Sequence, residues 1–232
     1  MLRKLLFTAF AFSALSVSAQ TAEGILAKNA EAMGGDAKMA TLTSVKMIGN
    51  LSTQGMDIPL TITKSHMKGM RLDIEVMGTA NYRIANNEKG YIFMPVMGMT
   101  EPKEMDAEEY KTGASQFDVH GPLYNYKEKG STIEFSGSEK VEGADAYKLK
   151  VTNKSGKIST YFIDMQTNRL LQTIGKMKGP DGTEKEITVS YKDYKKNADG
   201  FWFAYSVTSP EGPVTFDKIE TNITVDENLF KN

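Results

Sequence analysis

The chain has 232 residues, with 28 basic and 29 acidic side chains, a net charge of −1, two histidines and no cysteine. Charge so balanced and scattered gives no reason to expect nucleic acid, and the absent thiols exclude disulfide staples and thiol catalysis. Stability must come from core burial and backbone pairing.

Arg3 and Lys4 lead into an apolar run from Leu5 to about Val17, and Val17-Ser18-Ala19 places small residues where a signal peptidase cuts. Residues 1–19 are therefore expected to be a cleaved secretory signal, since the run is too short for a membrane anchor. Residues 20–232 are expected to form a single domain. Without Arg3 and Lys4 it carries 26 basic and 29 acidic residues, a charge of −3.

Thr21 to Met33 reads as a helix, with Ile25, Leu26, Asn29, Ala30 and Met33 on one face and Gly34-Gly35 as its stop. A further turn follows around Asp36 to Thr41. From Ser44 the period changes to two. Ile58, Leu60 and Ile62 alternate with Asp57, Thr61 and Thr63, and Leu72, Ile74 and Val76 repeat the pattern. Tyr147, Leu149 and Val151, and later Ile187, Val189 and Tyr191, do the same. Such alternation marks half-buried antiparallel strands. Glycine-containing turns such as Gln54-Gly55, Lys68-Gly69, Glu142-Gly143, Asp181-Gly182 and Asp199-Gly200 separate them, which gives a meander of about eleven or twelve strands.

Pro95 to Ser131 interrupts the meander, and within it Glu104 to Phe117 looks helical. One helix cannot cover the apolar faces of so many strands, so the sheet must close, fold over, or curl around a concavity. Met94, Met97, Met99, Met105 and Tyr110 stand in or beside the insertion, which could fold back across the mouth of a curled sheet as a lid. The same methionines would serve equally as core filler.

Catalytic signatures are missing: there is no H-E-x-x-H, no G-x-S-x-G and no phosphate-binding glycine loop. His66 and His120 stand far apart in the chain, so metal ligation is expected to rest on carboxylates alone, and none have calcium-loop spacing. Asp106, Glu108 and Glu109 read as a solvated helix face. No enzyme activity, metal or cofactor is expected.

Ala32-Met33-Gly34-Gly35 followed by Leu42-Thr43-Ser44-Val45-Lys46 resembles the opening of bacterial outer-membrane lipoprotein-sorting (LolA-like) proteins. Tyr161-Phe162-Ile163-Asp164, Tyr191-Lys192-Asp193-Tyr194, Asp199-Gly200-Phe201-Trp202-Phe203 and the ending Asn222 to Phe230 resemble their later segments in order and spacing. The resemblance implies a mainly β fold with a few helices: an unclosed antiparallel β-barrel with an N-terminal helix, an inserted lid or plug helix, and an acyl-binding cavity. It also implies a periplasmic monomer that carries the acyl chains of lipoproteins from an inner-membrane transporter to an outer-membrane acceptor. The family's lid-holding Arg-Pro is matched here by His66-Met67. His66 shares the inward parity of Ile58, Leu60 and Ile62, so it stands as either a lid contact or a rim histidine, whereas Arg71 opposes the parity of Leu72, Ile74 and Val76. The expected ligand-contacting residues are therefore Ile58, Leu60, Ile62, His66, Leu72, Ile74, Val76, Met94, Met97, Met99, Met105 and Tyr110. Two other functions suit the same fold: a lipid-sensing envelope-stress regulator, and an accessory envelope protein with a filled core.

Overall fold

A computed structural model describes residues 20–178 and 183–232, so the expected leader and the Asp181-Gly182 turn lie outside the described residues. Helix α1 (Ala22–Ala32) begins at Thr21, whose hydroxyl accepts the Gly24 N–H at 3.2 Å. It ends where Gly34 takes φ +114° and Gly35 N–H reaches back to Ala30 O at 2.8 Å, a turn that only glycine enters without strain. A single turn, α2 (Asp36–Met39), leads into the sheet.

Strands β1 (Ser44–Thr53), β2 (Met56–Ser65), β3 (Gly69–Val76), β4 (Thr79–Asn86) and β5 (Gly90–Phe93) run as a meander to one edge, which β6 (Lys103–Glu104) finishes. A second meander starts at the opposite edge with β7 (Thr132–Val141), β8 (Ala144–Thr152) and β9 (Ile158–Asp164). It continues through β10 (Leu170–Lys178), β11 (Glu184–Lys196), β12 (Trp202–Ser209) and β13 (Gly212–Thr221). There β13 pairs with β1, so the first and last strands meet in the middle of one curled, unclosed antiparallel sheet of 13 strands.

The sheet has more strands than the alternation predicts. Met77-Gly78 makes a tight turn at φ +50° and +76°, and Lys103-Glu104 adds to the sheet edge instead of starting a helix. Helix α3 (Ala107–Ala114) begins later than expected because Asp106 caps it. The Asp106 carboxylate accepts from Glu108 and Glu109 N–H at 2.9 and 2.8 Å, and Glu109 accepts from Asp106 N–H at 3.1 Å. The acidic group is thus a reciprocal cap and not merely a solvated face.

Since β6 and β7 are the two edges, the chain between them has to cross the sheet. Residues 105–131 do so over the concave face and drop side chains onto three clusters in turn. Phe117 packs with Met70 and Ala85, while Val119 joins Leu42, Val45, Leu60, Phe201, Phe216 and Ile219 at the centre. Leu123 and Tyr126 then reach the cluster that α1 forms with Ile133, Leu149 and Ile163. On the outer face the C-terminal turn (Glu227–Phe230) lies against β3 and β4, with Phe230 buried and its carbonyl accepting from Asn86 Nδ2 at 3.0 Å. Thr63 has outward parity yet is buried, and its register partner Arg71 reaches toward that strap.

The β1–β13 seam depends on Gly49. The register shifts there, and a Cβ would lie 2.1 Å from Thr215 O and 2.8 Å from Phe216 Cα. Gly49→Ala is expected to destabilise the fold by about 1–3 kcal/mol through forced backbone separation. Gly24→Ala, where the nearest atom would be 3.5 Å away in α1, is expected to stabilise it by about 0.5–1 kcal/mol. Urea unfolding midpoints check both, and a neutral Gly49→Ala would refute the close-contact account.

Candidate functional site

The inward parity assigned to β2 and β3 is the parity seen. Leu60, Ile62, Leu72 and Ile74 all pack in the central cluster beneath Val119, Ile58 is buried, and Val76 is half-buried at the end of β3. Arg71 points the other way, pairing with Asp73 at 2.7 Å and stacking on Tyr82.

The methionines divide by position. Met94 is buried, with its N–H bonded to the Met99 sulfur at 3.3 Å, while Met97 is 77% exposed. The Met105 thioether lies over Gly90, where a Cβ would come within 2.6 Å of its sulfur. Tyr110 packs with α3 on Met70 and Ala85 and donates to Asn86 O at 3.0 Å. These residues therefore gather at the β3–β6 end of the sheet.

A cavity of about 480 Å³ opens at the other side of the concave face, and none of the twelve expected residues lines it. Leu26 and Ala30 of α1 with Met33 at its C-cap form one wall, Leu123, Tyr124 and Tyr126 of the crossing segment form the other, and Tyr161, Leu170 and Tyr194 form the floor. Its volume falls within the ~300–1,000 Å³ of small-molecule sites. Burial raises the Tyr161 phenol to about 12, with Tyr191 adding to the effect. Burial likewise raises that of Tyr194, whose hydroxyl donates to Leu170 O at 3.0 Å. The floor is consequently uncharged at neutral pH. Polar groups sit at the rim, where Lys127 and Glu23 face each other at 3.6 Å, both largely exposed. An exposed pair of this kind contributes at most about 1 kcal/mol, so it holds the two walls together weakly.

The helix wall was legible in the sequence as the apolar face of Thr21 to Met33. The opposite wall was not, because Leu123, Tyr124 and Tyr126 follow no helical or strand period; only the density of tyrosine marks them.

Between cavity and central cluster lies a polar knot. Lys64 extends inward from β2 opposite Val45 and Met70, and burial lowers its pKa to about 8 against the opposing pull of Asp118. Asp118 pairs with Lys129 at 2.5 Å and stands 3.7 Å from both His66 Nδ1 and His120 Nδ1. His120 lines the cavity, contacts Tyr124 ring to ring at 4.9 Å, and is bonded through Nε2 to Leu42 O at 2.9 Å. Burial, and then His66, hold its pKa below the ordinary imidazole value. The two histidines, far apart in the chain, do not stay apart in the fold. Folding brings the two histidine rings to 4.3 Å, and with Asp118 their ligand atoms all lie within 4.8 Å.

No protein-family model matches the sequence, and neither does any curated protein. Solved structures do match. A LolA superfamily protein from Nitrosomonas europaea superposes with a TM-score of 0.56 at 12% identity, over 92% of this chain and 99% of that one. A DUF1329 family protein from Desulfovibrio piger gives 0.55 at 13%, over 90% and 96%. An outer membrane lipoprotein-sorting protein domain from Vibrio parahaemolyticus gives 0.50 at 16%, over 89% and 94%. Among the described residues no helix is long and apolar enough to cross a membrane. With its curled sheet, its crossing plug and these full-length superpositions, the chain has the LolA-like fold.

Proposed function

We propose that this protein is a periplasmic carrier of acyl chains, its cargo being the lipid chains of lipoproteins. The observation that carries the reading is the cavity of about 480 Å³ between α1 and the crossing segment, mainly apolar in its lining and uncharged on its floor. The likeness to a lipoprotein-sorting domain from Vibrio parahaemolyticus supports the cargo class, and Arg3, Lys4 and the apolar run after them support export.

Each buried methylene contributes about 0.8 kcal/mol, so a long chain would gain on the order of 10 kcal/mol gross. A carrier must offset most of that to release its cargo. The closed form offers the means: an acyl chain running deeper than the cavity must displace Val119 from the central cluster to which Leu60, Ile62, Leu72 and Ile74 also belong. Exchanging one apolar contact for another makes uptake nearly balanced. The early-strand residues are in this reading the inner part of the same binding track, and His66 stands at its edge. An inner-membrane donor and an outer-membrane acceptor would supply and receive the cargo.

Three measurements test the proposal. Ala30→Trp fills the cavity from α1 and is expected to weaken binding of a fluorescent long-chain fatty acid at least about tenfold. Lys28→Trp, on the exposed face of the same helix, is expected to leave it unchanged, and equal effects would refute the cavity as the acyl site. Hydrogen exchange is expected to change with fatty acid in 22–33 and 117–128 more than in 213–218; a uniform response would count against a moving crossing segment. Protein recovered from the periplasm is expected to have the intact mass of a chain beginning at Gln20, and a retained leader would overturn the export reading.

A further inference from the structure

We propose that His66, Asp118 and His120 form a binding site for a divalent transition metal ion, with zinc the ion its two nitrogens and one carboxylate oxygen suit best. Three observations lead there. First, Leu42 O can only accept, so the 2.9 Å bond to His120 Nε2 requires the proton on that nitrogen and leaves the Nδ1 lone pair facing Asp118. A carbonyl that fixes the far nitrogen is the usual second partner of a metal-binding imidazole.

Second, His66 Nδ1 is buried and has no hydrogen-bond partner. A buried polar atom without a partner is costly, and a metal ion would satisfy it. Third, the segments carrying the ligands are already tied together. His66 N–H bonds Thr43 O at 2.8 Å, Met67 N–H bonds Phe117 O at 3.0 Å, and His120 N–H bonds Asp118 Oδ1 at 3.0 Å. The donors therefore converge without a change of fold. Ligand atoms around tetrahedral zinc stand about 3.4 Å apart; here two pairs stand at 3.7 Å and all three atoms lie within 4.8 Å. Modest side-chain rotation closes the set.

Two cations oppose the ion. Lys129 occupies Asp118 Oδ2 at 2.5 Å and orients the carboxylate, so the metal would share Oδ1 with the His120 N–H, and Lys64 lies close enough to interact with Asp118. Their repulsion weakens binding relative to a structural zinc site. The donor set itself disfavours magnesium and calcium, which need several oxygen donors that it lacks. A bound ion would fasten the turn after β2 to the crossing segment beside the cavity wall.

Cobalt titration of the tag-free protein tests the site. Visible absorption bands are expected to grow to saturation at one equivalent and to be bleached by zinc but not by magnesium or calcium. With two histidines and no cysteine in the chain, imidazole ligands can come only from His66 and His120. His66→Gln and His120→Gln are each expected to weaken binding at least about tenfold. A readout that needs no variant is the ring-nitrogen NMR of the two histidines, where zinc should move both Nδ1 signals. Absence of saturable bands, unmoved Nδ1 signals, or unaltered affinity in a folded His66→Gln protein would each overturn the proposal.

Discussion

The arrangement depends on one topological constraint: consecutive strands β6 and β7 lie at opposite edges of the sheet. This follows from the pairing of β1 with β13, which puts the chain's first and last strands at the centre and pushes the middle of the sequence outward in both directions. The connection between the edges must span the sheet, and it can bury apolar side chains only on the concave face. Phe117, Val119, Leu123 and Tyr126 do this in sequence order. The apolar excess of a one-sided sheet is thereby covered by irregular chain and two helices instead of by a second sheet.

Where the covering is tight there is core, and where it stands off there is cavity. Over β2 and β3 the segment lies flat, because Val119 meets a bed of branched aliphatic side chains. Toward β9–β11, α1 and the segment both border a space floored by Tyr161, Leu170 and Tyr194. The residual space falls between Leu26 and Ala30 on one side and Leu123 and Tyr124 on the other. Tyrosines close it from below, with hydroxyls that find partners or stay neutral, so the site is apolar without being dry of hydrogen-bonding groups.

The same crossing explains the inward-facing lysine. Lys64 on an apolar sheet face would be costly alone. The crossing segment brings Asp118 to it, Lys129 pairs with the same carboxylate, and the two histidines pack beside them. Charge, cavity wall and strand turn thus meet at one point of the crossing.

Period-two alternation and glycine turns were enough to find most strands, the inward parity of Ile58, Leu60 and Ile62, and the outward Arg71, because hairpins are local. The apolar face of α1 and the Gly34-Gly35 stop were legible for the same reason. The β1–β13 seam was not, since nothing in a strand's own residues names a partner from the far end of the chain. The close approach at Gly49 is visible only once Thr215 is beside it. The cavity escaped because its second wall is irregular chain, whose side chains are placed by what they cross and not by their spacing. The meeting of His66 with His120 had no local signal either. Sequence by itself determined most of the hairpins and the parity of their strands, because both are set by neighbouring residues. Tertiary structure alone decided what lies over the concave face, because that depends on where the two sheet edges stand relative to each other.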